Sequence, residues 1–278
     1  MARQNLFEVL KTVDTSPIQE IRKIENLFSG LRVEFQRQMY TIEEIIQDFQ
    51  FLNWKYRSSY LSISEMRDRC RIISKYDIKN NMYASFDTMF NYFEFILNLI
   101  ELIKDSRFLI NKIKAYVNLI EENISIVCDK NNMKIQKVED QIWIVEKSDK
   151  VTMISELYPD IASNVIEYNR FVLKGNLNRK RELLNSIAQK YEGIKSRLKG
   201  ANQSNLVTDI GTLLNNLHIR HNNIEGEEFK ELTVNMPNEE LEEWYDRAYD
   251  LMLLALMYND YLDNKKDIEK LKLQLKNS

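Results

Sequence analysis

Apolar side chains recur every three or four residues along most of this chain, the spacing that lines up one face of an α-helix. Ile18, Ile21, Ile24, Leu27 and Phe28 form the first stripe. It follows Ser16-Pro17-Ile18-Gln19, a hydroxyl cap before a proline at the first helical position, with Gln three residues on. Thr41-Ile42-Glu43-Glu44 is a second capping box, leading into Ile42, Ile45, Ile46, Phe49, Leu52 and Tyr56. A shorter helix starts at Ser64 or a neighbour and carries Met66, Cys70 and Ile73. Ser85 caps a strongly apolar helix with Met89, Phe90, Phe93, Ile96, Leu97, Ile100 and Ile103. Phe86, Phe90 and Phe93 lie at core spacing rather than as a base-stacking platform. The next helix, from about Ser106, presents Leu109, Ile113, Tyr116, Val117, Ile120 and Ile124.

The period then changes from helical to alternating. Met133-Ile135 and Ile142-Ile144 alternate with polar neighbours around Val138-Glu139-Asp140-Gln141, which predicts a β-hairpin over about 133–146. Helices resume at Pro159, with Ile161, Val165, Tyr168 and Val172 inward, and Lys174-Gly175-Asn176 ends that element. A helix from about Asn178 to Lys199 buries Leu183, Leu184, Ile187, Tyr191, Ile194 and Leu198, with Gly200 closing it. Ser204 or Asn205 opens another, through Leu206, Ile210, Leu213, Leu214 and Leu217. Pro237-Asn238-Glu239-Glu240 starts a long final helix with a mostly charged tail and no heptad repeat long enough for an extended coiled coil. The fold expected is mainly α: helical bundles with one small β-hairpin near the middle of the chain. The hairpin marks a boundary, with an N-terminal helical region over 1–130. Residues 131–278 hold the hairpin and four helices in an up-down arrangement.

Composition supports long elements. Only 6 glycines and 3 prolines occur in 278 residues, too few for a turn-rich sheet protein. Hydrophobic residues make up 44% and charged residues 29%, a folded rather than a disordered balance. The formal charge of −3 gives no global attraction for a polyanion but leaves room for a local basic patch. Cys70 and Cys128 lie far apart in apolar helical patterns and read as reduced, buried thiols. The N-terminus, MARQNLFEVLKTVD, lacks a signal-peptide core, and FEFILNLIELI is too short and polar to span a bilayer. A cytoplasmic protein with no membrane contact is expected.

Candidate chemistry concentrates in LLNNLHIRHNNIEGEE, Leu213–Glu228, which contains both histidines. Helical spacing from Leu213 and Leu217 places Arg220 and His221 together at a helix end. One reading is structural: cationic side chains favour the negative end of the helix dipole, and the asparagines make the turn. The other is chemical. His221 transfers a proton, Arg220 binds a phosphate through paired hydrogen bonds, and His218, Asn216, Asn222 and Asn223 position the substrate. That set suffices for metal-independent RNA cleavage, in which the 2′-hydroxyl attacks its own phosphodiester. His218 and His221 stand three apart near Glu225, Glu227 and Glu228, but a third ligand on a rigid element is lacking, so no metal is expected. No cofactor fingerprint is present. Arg179, Lys180 and Arg181 form a basic run at a helix start, a solvated face or an RNA-backbone contact if it lies beside His221.

GNLNRKRELLNSIAQKYEGIK, LLNNLHIRHNN and NEELEEWYDRAYDLMLLALMYNDYL together resemble the HEPN domains of bacterial abortive-infection and toxin systems. The resemblance implies a helical bundle, a homodimer, and RNA cleavage by an arginine and a histidine, with RNA and an antitoxin or other protein as partners. Arg220-His221 matches the opening pair of that motif; Glu225, Gly226 and Glu227 stand where its closing histidine would fall. Two functions follow: an HEPN-like phage-defence or toxin-type protein that binds and cleaves RNA, or a non-catalytic helical interaction or scaffold protein.

Overall fold

A computed structural model describes residues 16–104, 111–221, 223–224, 227 and 229–276. The chain forms two units, Met1–Glu146 and Lys147–Ser278. The fold is mainly α, and none of its described helices is long and apolar enough to cross a membrane.

In the first unit, α1 (Pro17–Glu25) buries Ile18, Ile21 and Ile24 and starts on Pro17. Ser16 occupies the N-cap without a side-chain bond, so here the fixed φ of proline, and not the hydroxyl, sets the start. A small antiparallel pair follows that the sequence did not announce: β1 (Val33–Phe35) and β2 (Gln38–Tyr40). Their turn places Gln36 and Arg37 at φ 49° and 65°, a left-handed pair usually built from Asn or Gly. Phe35, Tyr40 and Phe49 pack edge to face across it, at centroid distances from 5.6 to 6.1 Å. The described residues thus contain two hairpins, not one.

The capping box of α2 (Ile42–Phe49) forms as expected: Glu44 N–H donates to Thr41 Oγ1 at 3.1 Å and Thr41 N–H to Glu44 Oε2 at 2.7 Å. α3 (Ile63–Arg69) takes its cap from Ser62, two residues before the expected Ser64. It ends at Cys70, which is exposed and not buried as the apolar pattern suggested, because the helix stops before it. A short α4 (Lys75–Lys79) precedes α5 (Phe86–Lys104), which Ser85 caps through the Thr88 N–H. α5 is the centre of this unit, packing against α1, α2 and α6 (Asn111–Lys130). The expected start of α6 near Ser106 lies outside the described residues. One charged network ties three helices: Arg67 of α3 donates to both oxygens of Glu25 at 3.3 and 3.0 Å and to the Ile73 carbonyl at 2.6 Å. Tyr92 of α5 donates to the same carboxylate at 2.7 Å.

The predicted hairpin is present as β3 (Met133–Val138) and β4 (Gln141–Glu146), with Met133 opposite Glu146 and Val138 opposite Gln141. It belongs to the first unit, so the boundary falls at 146/147 and not at 130/131. The reason is local. The outer edge of β4 is satisfied by side chains of α5, where Asn98 accepts from Ile142 N–H at 2.9 Å and donates to the Ile142 carbonyl at 2.7 Å. One helical turn earlier, Glu94 accepts from Ile144 N–H at 2.9 Å. Residues 94 and 98 repeat about every 6 Å along a helix, and residues 142 and 144 about every 6.7 Å along a strand, so the two rows match.

In the second unit, Ser148 caps an unforeseen α7 (Asp149–Leu157). Pro159 then forces Tyr158 out of the helical region, leaving α8 (Ala162–Tyr168) shorter than the sequence pattern suggested. The long elements are α9 (Leu177–Gly200), α10 (Ser204–Asn216) and α12 (Asn238–Lys276), with a short α11 (Glu231–Asn235) before the last. α9 and α10 pack on α12 and on each other, and α7 and α8 cover the remaining side, in place of a four-helix up-down bundle. Lys180 of α9 is buried between Glu242 and Asp246 of α12 at 2.8 and 2.7 Å. Tyr168 and Tyr249 stack at 4.1 Å beside it.

Candidate functional site

α10 stops at Asn216, before any of the cationic residues of the cluster. His218 adopts φ 56°, the left-handed position that ends many helices, and Arg220 N–H returns to the Leu214 carbonyl at 3.0 Å. Leu217 and Ile219 are buried on either side, anchoring the exit. The helical spacing that would have placed Arg220 and His221 on one face therefore does not extend to them.

Each member of the cluster has its own surroundings. Asn216 donates back to the Thr212 carbonyl at 2.8 Å, and its own carbonyl accepts from Thr233 Oγ1 at 2.6 Å. Asn223 is 0% exposed; its side-chain oxygen accepts from His218 N–H at 2.7 Å and its carbonyl from Lys230 N–H at 2.8 Å. It closes the loop from inside. Asn222 lies outside the described residues. His221 is exposed, and its ring makes no hydrogen bond with a described residue. Its carbonyl accepts from Asn223 N–H at 3.0 Å.

The His218 ring is held on both nitrogens. Arg181 of α9 donates to Nε2; a guanidinium has no acceptor, so the ring proton must sit on Nδ1. From there it donates to the His221 carbonyl at 3.2 Å. Asn223 N–H also lies 3.3 Å from Nδ1, but with the proton on that atom its acceptor is the His221 carbonyl. Arg220 is 21% exposed and donates to Glu192 of α9. Burial alone would raise the Glu192 carboxyl; the bond and charge of Arg220, helped by Lys195, outweigh it and hold the group below its ordinary range. One nitrogen of the guanidinium expected to bind a phosphate is thus bonded to a carboxylate 28 residues away.

The basic run resolves in the same way. Arg179 holds Glu167 with two bonds at 2.7 and 2.8 Å, Lys180 is the buried cation between two acids, and Arg181 meets His218. Only Arg181 lies at the cluster, and it touches His218 rather than His221. Sequence reasoning missed Glu192 and the Arg181 contact, since both are long-range partners with no local signature.

Beside the cluster runs a groove of about 300 Å³ between α9 and α10, lined by Lys195, Lys199, Thr208, Thr212, Asn215 and Asn216. Its polar lining is partly spoken for: Thr208 and Thr212 donate to carbonyls one turn back, and Lys195 leans on Glu192 at 3.5 Å. Among the described residues, no group of three or more His, Cys, Asp or Glu is arranged to hold a metal ion.

Compared with known proteins, the chain matches no protein-family model, no curated protein and no solved structure. The HEPN resemblance of the second half therefore stands on the quoted residues alone.

Proposed function

We propose that the protein is a non-catalytic helical interaction protein, in which the histidine–arginine cluster fastens the exit of α10 to α9. The Arg220–Glu192 pair carries this reading. A phosphate at Arg220 would have to compete with the Glu192 carboxylate, which already bonds Nη2 and offsets the guanidinium charge, and the His218 ring has neither nitrogen available for proton transfer. His221 alone offers an imidazole to solvent, without a neighbouring described side chain to orient it. The test is incubation of purified protein with single-stranded RNA, without added metal, for the natural chain and for His221→Ala. Intact RNA in both is expected; cleavage that disappears in His221→Ala overturns the proposal.

The groove beside the cluster favours a second reading, RNA binding of the kind the HEPN resemblance implies. Lys195 and Lys199 point to a backbone contact there, next to the amide of Asn216. Each single-strand phosphate neutralised contributes about 0.7 to the slope of log affinity against log salt, so Lys195→Ala/Lys199→Ala would lower that slope by about 1.4. An unchanged slope, or no RNA binding by the natural chain, removes this reading.

A further inference from the structure

α12 spans 39 residues, about 58 Å at helical rise, yet its buried positions end at Asn259. The face turned to the body is formed by Tyr245, Ala248, Met252, Ala255, Leu256 and Asn259. A different stripe runs on the opposite side: Leu254, Met257, Tyr261, Ile268 and Leu271, at alternating steps of three and four with Asn264 in the middle. Leu254, Tyr261, Ile268 and Leu271 are all more than 40% exposed, and Leu275 stands at the next position. Three- and four-residue steps sustained over three heptads are the seam of a coiled coil. Isolated helix beyond the body is marginal in water unless such a seam is covered.

The charges beside the seam identify what covers it. Asp260 and Asp267 flank it on one side, Lys265 and Lys272 on the other. In a parallel pair of identical helices, each flanking residue faces the one five positions later on the partner helix, so Asp260 meets Lys265 and Asp267 meets Lys272. In an antiparallel pair aspartate would face aspartate and lysine would face lysine. Asn264 selects the same arrangement. In parallel register its amide meets its own copy, whereas a heptad slip sets it against Met257 or Leu271. Asp267 already holds Lys270 at 3.0 Å and Asp260 accepts from the Asn264 amide at 3.1 Å, but both contacts lie at the exposed surface, so the exchange costs little.

We infer that the outer stripe of α12 is a dimerisation seam that zips in parallel, in register, onto the same stripe of a second copy of this chain. This goes beyond the interaction-protein reading and does not depend on the histidine cluster. Sedimentation equilibrium of the full chain over roughly two decades of concentration tests it, because dimer assembly is a mass-action equilibrium. The natural chain is expected to reach twice the monomer mass, and Ile268→Asp/Leu271→Asp to stay monomeric with an unchanged circular dichroism melt of the body. Lys265→Glu/Lys272→Glu should weaken association roughly tenfold or more, and mixing it with Asp260→Lys/Asp267→Lys should restore a mixed dimer. In a Cys70→Ser background, Leu271→Cys should form an intermolecular disulfide on oxidation. A monomer at every concentration overturns the inference. So does a dimer indifferent to Ile268→Asp/Leu271→Asp, and a dimer whose Leu271→Cys does not cross-link overturns the parallel register.

Discussion

Arg67→Met should be among the most damaging single substitutions in the first unit, and its cost should depend on pH in a definite direction. Arg67 and Glu25 have side-chain exposures of 3% and 13%, so their mutual attraction is poorly screened. Burial alone would raise the Glu25 carboxyl; the charge and bonds of Arg67, with bonds from Tyr92 and Ser29, outweigh it and hold the group below its ordinary value. Glu25 therefore contributes stability above the unfolded carboxylate range, and this is lost as pH falls through the lowered folded value. Removing the guanidinium reverses the balance: burial then pushes the carboxyl above its unfolded value. The penalty should grow from acid pH up to that raised value and be largest at neutral pH. Breaking one side of a buried pair costs about 3–5 kcal/mol, or a fall of roughly 10 °C or more in Tm for a unit of this size. Urea unfolding followed by fluorescence reads it cleanly in a Trp244→Phe background, since Trp54 and Trp143 both report on the first unit. Glu25→Leu/Arg67→Met should recover at least half of the loss, because no charge is left stranded. A cost below about 1 kcal/mol that is flat from pH 4 to pH 8 would refute the reasoning, since an exposed ion pair behaves that way.

Asn98→Ala should cost about 2–3 kcal/mol, because both polar groups of Ile142 lose their partner; urea unfolding measures it, and the first unit alone should respond. Asn223→Ala should destabilise the second unit by about 1–3 kcal/mol by orphaning the His218 N–H, visible as a lower Tm in calorimetry. Arg220→Ala should lose only about 0.5–1 kcal/mol, since Glu192 is 40% exposed and solvent screens the pair. His221→Ala should leave the same melt unchanged.

The parts of the fold that were legible are those dictated by neighbours in sequence. The Thr41 capping box, the Ser85 cap, the α5 and α9 stripes and the alternation over 133–146 all appear where the pattern placed them. β1 and β2 escaped because Gln36-Arg37 turns the chain without the Asn or Gly that announces such a turn. α7 escaped because only Val151 and Ile154 face inward, too few to set a period. The end of α10 was blurred because a histidine, not a glycine, takes the left-handed position. The seam on α12 was hidden by superposition: body-facing and outward apolar rows share one helix, so its periodicity cancels and only the burial pattern separates them. The cluster itself was visible as composition, but Glu192 and Arg181, which decide what Arg220 and His218 are free to do, come from another helix.

The way α5 grips β4 has a practical consequence for anyone dividing this protein. A strand whose outward amides are consumed by Asn98 and Glu94 offers no ladder to a foreign strand. A fragment severed ahead of Asn131 would carry that strand away with its amides bare and Ile142 and Ile144 stripped of cover, a template for clumping. Its counterpart would keep a carboxylate aimed at an empty slot. Scissors placed after Glu146 avoid both problems.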